Sequence, residues 1–239
     1  RSEKKLLQIQ VVPAGEEEDE ILLGRTCLTV CSSSLILGGS VLTAKQDPDS
    51  DIARMKGRRQ YLPTEEEKTY TQRPEMLIAC LLNPSLQEGE SVHIIGAEQF
   101  CNLTGVGKEL RYEKTALDSS PRADDGTVLK AYCCIDPVDA CGSTHPWPFA
   151  SQLQPRHMLR ELNKAYAGFK PADDLEKRLF RSVATGGDSW GCGSHLAGWG
   201  HVELRAVLQW LAACEAGRPM RYFEKSSSKI NFGRRLRTF

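Results

Sequence analysis

No run of ~18 apolar residues is present, so no segment reads as a membrane-spanning helix. Charge of one sign is not in excess either. Lysine plus arginine (31) balance aspartate plus glutamate (31), and the whole-chain charge gives no argument for a nucleic-acid or membrane partner. The nine cysteines include no CxxC pair and no zinc spacing to a histidine. A disulfide framework and a metal site are therefore set aside, no cofactor is expected, and the cysteines read as small buried hydrophobes in a reducing intracellular compartment. No internal repeat and no signal peptide is visible. The chain opens on Arg1 rather than methionine, so a processed or truncated part of a longer protein is expected.

What is present is centred on residues 182–217, SVATGGDSWGCGSHLAGWGHVELRAVLQWLAACEAG. A short apolar strand precedes a loop with glycine at 186, 187, 191, 193, 198 and 200, and an amphipathic helix follows. A glycine-rich turn at a helix N-terminus offers unpaired N–H groups to an anion, and a phosphate or diphosphate is its natural guest. An ordinary loop is the alternative.

Upstream, strands are expected over 6–12, 27–30, 91–97, 110–114 and 127–135, with material of the same kind at 21–23. His93 inside one of them reads as a core histidine with its hydrogen bonds satisfied. Helices are expected over 155–168, 173–180 and 201–217, and a final strand over 220–223. Residues 43–72 are rich in proline, glycine and charge and read as a solvent-exposed insertion with little core of its own. Pro74 then fits the first turn of a helix over 75–82 whose residues are apolar all round, hence buried. Strands and helices alternate, with glycine turns at strand ends. That order predicts an α/β sandwich with ligand loops grouped at one sheet edge.

Several ordered segments resemble the catalytic domain of the poly(ADP-ribose) glycohydrolases. LILGGSVL (35–42) resembles that family's glycine-triplet loop, and LLNPSL (81–86) and IIGAEQFCNLTG (94–105) resemble segments after its catalytic helix. RELNKAYAGF (160–169) is a close match, and VATG with WGCG (183–186, 190–193) resembles its diphosphate-binding loop. The resemblance implies a macrodomain-like three-layer α/β sandwich with a mixed central sheet over residues 1–224. It also implies an ADP-ribose cleft lined by Gly38, Gly39, Ser40, Thr185, Gly186, Trp190, Gly191, Cys192, Gly193 and His195.

In that family a glutamine and two adjacent glutamates open the helix after the glycine triplet. The second glutamate protonates the leaving oxygen as the ribose–ribose bond breaks, a role that glycosidic cleavage requires of a placed carboxyl. Counting back from Asn83, the glutamine falls on Glu75 and the glutamates on Met76 and Leu77, neither of which can deliver a proton. The third triplet glycine is Ser40. Adenosine-facing aspartate and asparagine correspond to Cys31 and Ser34, a stacking aromatic to Val106, and a loop phenylalanine to His195.

On that alignment the favoured reading is a pseudoenzyme retained as a structural or interaction subunit of a larger assembly. Its basic, partly apolar tail 225–239 would dock on a partner through Lys229, Phe232, Arg234, Arg235, Arg237 and Phe239, onto a protein surface or nucleic-acid phosphate. A second reading is a module that binds ADP-ribose without cleaving it. A third is an active hydrolase, which requires Glu75, or one of Glu65, Glu66 and Glu67, to fold back into the catalytic position.

Overall fold

The computed structural model describes residues 6–12, 26–39, 41–43, 63–105, 109–138, 148–186, 190–192 and 201–223. In chain order its first elements are β1 (Ile9–Val12), β2 (Cys27–Ser32), a 3₁₀ turn (Val41–Thr43) and α1 (Glu65–Gln72). A second 3₁₀ turn (Pro74–Met76), α2 (Leu77–Leu82), β3 (Val92–Ile95), β4 (Cys101–Thr104), β5 (Arg111–Thr115) and β6 (Ala131–Ile135) follow. The chain continues through α3 (Pro148–Ser151), α4 (Pro155–Phe169), α5 (Asp174–Leu179), β7 (Ser182–Gly186), α6 (Val202–Ala216) and β8 (Met220–Phe223).

Six strands form one mixed sheet in the order β1-β8-β7-β2-β6-β3, parallel throughout except that β3 runs antiparallel to β6. β4 and β5 pair separately as an antiparallel hairpin. Side-chain alternation along a strand serves both faces of the sheet. On β6, Ala131, Cys133 and Ile135 enter one core with Phe169 of α4 and Ala206, Ala212 and Ala213 of α6. Tyr132 and Cys134 enter a second core with Tyr70 of α1, Met76, Cys80 and Leu37. Helices thus cover both faces, giving the expected three layers.

The long helices form where sequence signals place them. Pro155 stands in the first turn of α4, and α6 is capped by His201, whose Nδ1 accepts the Leu204 N–H, and by Gly217 at φ 74°. His93 is satisfied as expected: Nδ1 lies 2.9 Å from Glu176 Oε2 and Nε2 lies 2.6 Å from the Gly168 carbonyl oxygen. Glu176 also accepts from Arg218 Nη2 at 2.8 Å and from the Ala172 N–H at 2.9 Å. One buried carboxylate therefore ties β3, α5 and the start of β8 together.

Two sequence expectations change. The apolar segment before Asn83 is a 3₁₀ turn plus a six-residue helix, and it is not buried all round: Ile78, Leu81 and Leu82 are 59%, 75% and 81% exposed. The exposed-insertion reading fails for its last ten residues, 63–72. They contain an α-helix whose Glu66, Glu67 and Tyr70 are all buried. Residues 44–62 and the strand material at 21–23 lie outside the described residues.

Candidate active site

The first turn of α1 is built by a reciprocal cap. Thr64 Oγ1 accepts the Glu67 N–H at 3.3 Å, and Glu67 Oε2 accepts the Thr64 N–H at 2.8 Å. Three glutamates in that turn suit the positive end of the helix dipole. Glu65 points to solvent, 3.8 Å from Lys68. Glu66, about 100° further round the helix, turns inward. Its Oε2 accepts the backbone N–H of Ser34 at 2.8 Å and the Ser34 hydroxyl at 2.9 Å, and its Oε1 accepts the Gly38 N–H at 2.8 Å. Burial pushes the Glu66 carboxyl up to about 7, against the pull of these donors.

The glycine doublet is seated directly on this helix. Gly38 and Gly39 have φ of +75° and +60°, a region that side chains disfavour. A Cβ on Gly39 would stand 2.7 Å from Glu67 Oε1, and one on Gly38 would stand 2.8 Å from Cys80 Sγ. Only glycine lets the loop backbone come this close to Glu67 on one side and to Cys80 and Tyr70 on the other. The Tyr70 hydroxyl lies 3.5 Å from Cys134 Sγ. Burial raises the Cys80 thiol to about 11, so it stays protonated and serves as packing rather than as a nucleophile.

Met76, Leu77 and Glu75 do not reach the loop as acids or in their place. Met76 is fully buried in the core beneath the sheet and Leu77 packs against that core. Glu75 is turned away, its Oε2 accepting the Glu98 N–H at 2.7 Å. The positions facing the glycine loop are held by Glu66 and Glu67. The eight-residue count from Asn83 back to Glu75, applied instead from Arg73 before Pro74, lands on Glu65 and sets Glu66 and Glu67 as the adjacent pair. The capping signature Thr64-x-x-Glu67 was the second signal in the sequence for a helix start here.

β2, β6 and β7 are neighbouring parallel strands, so the segments leaving their C-terminal ends share one edge of the sheet. The glycine loop follows β2, and the 190–192 turn follows β7. At the end of β7 the Thr185 hydroxyl donates to Gln209 Oε1 at 2.7 Å, and Gly186 is the last strand residue. Trp190 is 1% exposed, and Gly191 follows at φ +75°. Cys192 is partly exposed. Ser40, Gly193, His195, Val106 and the tail residues Lys229, Phe232, Arg234, Arg235, Arg237 and Phe239 lie outside the described residues. Of the positions that the resemblance would set against adenosine, Cys31 is buried, and both polar hydrogens of Ser34 are taken by Glu66.

Among the described residues no group of three or more metal-ligating side chains is assembled, and no helix is long and apolar enough to cross a membrane. At the glycine loop the described residues bring together two adjacent carboxyls: Glu66, bound on both oxygens by Ser34 and Gly38, and Glu67, whose Oε1 lies beside Gly39.

Comparison with known proteins gives these elements a context. Residues 59–232 match the family described as poly(ADP-ribose) glycohydrolase (PARG), macro domain fold. The chain is 26% identical over 226 residues to poly(ADP-ribose) glycohydrolase 2 of Caenorhabditis elegans, covering 91% of this chain and 41% of that protein. It is 26% identical over 201 residues to the probable poly(ADP-ribose) glycohydrolase 2 of Arabidopsis thaliana, covering 68% of this chain and 36% of that protein. Poly(ADP-ribose) glycohydrolase 1 of C. elegans is matched at 26% identity over 223 residues, 90% of this chain and 25% of that protein. The chain thus spans about two fifths or less of the length of these relatives.

Proposed function

The chain belongs to the poly(ADP-ribose) glycohydrolase family, and on that footing we propose that it is an active glycohydrolase cleaving ribose–ribose bonds of poly(ADP-ribose), with Glu67 as general acid. The observation that carries this reading is the seating of the Gly38–Gly39 backbone on two buried adjacent carboxyls at the start of α1. Glu66 spends both oxygens on Ser34 and Gly38, so it holds the loop. Glu67 Oε2 accepts the Thr64 N–H, and Oε1 lies beside the Gly39 backbone, the point at which a ligand lying along the loop would approach it in this reading. Protonating the leaving ribose oxygen from Glu67 lowers the barrier to breaking the glycosidic bond, and its carboxylate then takes a proton from the water that completes hydrolysis. The turn at Trp190 and Gly191, on the same sheet edge, offers backbone N–H groups to the diphosphate.

An inactive interaction module, the reading drawn from Met76 and Leu77, loses its support once the acids are counted at 66 and 67. Cys31 and Ser34 still favour a weaker grip on adenosine than an aspartate and asparagine give. The experiment is incubation of the purified chain with poly(ADP-ribose) and measurement of released ADP-ribose. Release supports the hydrolase; ADP-ribose binding by calorimetry without release supports a binding module instead.

A further inference from the structure

Arg205, on the first turns of α6, is 2% exposed directly below the 190–192 turn. Its guanidinium carbon lies 5.3 Å from the centroid of the Trp190 ring. A Cβ on Gly191 would stand 2.9 Å from that same carbon and 3.0 Å from Pro137 Cβ, so the turn rests on the guanidinium with no side chain between. The far side of Arg205 forms an ion pair with Glu161 of α4, which is 3% exposed. Glu161 in turn accepts the Val138 N–H at 2.8 Å and Arg160 Nη1 at 2.9 Å. Arg160 Nη2 and Lys164 Nζ each reach Asp136 at 2.6 Å. One charged chain therefore joins α4, α6, the exit of β6 and the turn.

Packing alone does not require this. Burying an arginine and a glutamate carries a desolvation cost that their attraction offsets only with good geometry, and apolar residues of the same volume commonly hold a core as well or better. What an apolar pair lacks is a planar, directional group able to stack on an indole and grip a carboxylate at once.

We propose that Arg205, fixed by Glu161, is a positioning residue that sets the 190–192 turn in the conformation receiving the ligand's diphosphate. This rests on the reading of the site as an ADP-ribose cleft. Arg205 does not touch the ligand; it acts through Trp190 and the Gly191 backbone. Diphosphate contacts are made equally to substrate and transition state, so loosening the turn weakens binding and leaves the chemical step alone.

The test compares the full chain with R205M, R205K and E161Q for KM, kcat, ADP-ribose affinity, melting temperature and amide hydrogen exchange at Gly191 and Cys192. R205M is expected to raise KM and the ADP-ribose Kd roughly tenfold or more while kcat stays within about twofold. R205K, which keeps the ion pair but not the stacked fork, falls between R205M and the parent, and E161Q moves with R205M. Unchanged KM and affinity overturn the proposal, as does a lowered melting temperature with lowered kcat and unmoved KM, the signature of a purely structural lesion. If the parent chain neither binds nor cleaves, the family-based reading of the site fails. Exchange still decides the positioning claim: faster exchange confined to Gly191 and Cys192 in R205M upholds it, and unchanged exchange refutes it. If R205M does not fold, R205K and E161Q carry the same comparison.

Discussion

Glu66 Oε1 and the backbone N–H of Gly38, 28 residues apart in sequence, share a buried hydrogen bond of 2.8 Å. With the two bonds from Ser34 it makes the start of α1 and the glycine loop one unit, and the next carboxyl, Glu67, is held in place by the Thr64 N–H. Preorganisation of that kind is what lets a single proton donor act at a fixed point on a sugar.

Gly39→Ala tests the close approach. The new methyl would sit 2.7 Å from Glu67 Oε1 on a backbone at φ +60°. A loss of about 1–3 kcal/mol is expected by denaturant unfolding. ADP-ribose release should fall by more than the folded fraction does, because the displaced group is the proposed acid, Glu67.

Glu66 should leave a mark on the pH dependence of stability. Its carboxyl lies at about 7 in the folded chain against an ordinary 4.5, so between those values the folded state holds more protons than the unfolded state. Stability from this group is full below about 4.5 and declines as pH rises toward 7, by ~3 kcal/mol at about 1.4 kcal/mol per pH unit. Urea unfolding of Glu66→Gln across that range should show the slope flattened. An equal slope in both proteins removes Glu66 as its source.

Glu176 behaves oppositely. Burial pushes its carboxyl up, but the Ala172 N–H, Arg218 and His93 outweigh this and hold it below the ordinary range. Its contribution is present at neutral pH and is lost as pH falls through that lowered value. Glu176→Ala leaves Arg218, 2% exposed, without its carboxylate, and a cost of about 3–5 kcal/mol is expected at pH 7. The gap between parent and variant should narrow on acidification, as read from melting temperatures.

The sheet was legible because strands buried on both faces read as apolar runs: CLTVCS, AYCCI and SVATG are β2, β6 and β7. The helix over Pro155–Phe169 was legible from the proline in its first turn, and that over Val202–Ala216 from its amphipathic pattern and the glycine that ends it, Gly217. The site was half legible. The paired glycines 38 and 39 mark a close backbone approach and the glycines around 191 an anion-binding turn, but PTEEEKTYTQ reads as solvated surface. Composition cannot show that Glu66 is buried against three hydrogen-bond donors; only the fold brings Ser34 and Gly38 to it. A count back from Asn83 misses Glu66 and Glu67 because residues 75–82 read as an apolar, buried helix, whereas Ile78, Leu81 and Leu82 face solvent.

The most direct measurement is ADP-ribose released from poly(ADP-ribose) by the purified chain and by Glu67→Gln at neutral pH, with melting temperatures taken alongside. Release by the parent, slowed about 10²–10⁴-fold in Glu67→Gln with the fold retained, is the expected result. A folded parent that releases nothing, or a Glu67→Gln variant as active as the parent, would contradict the assignment of Glu67 as the acid.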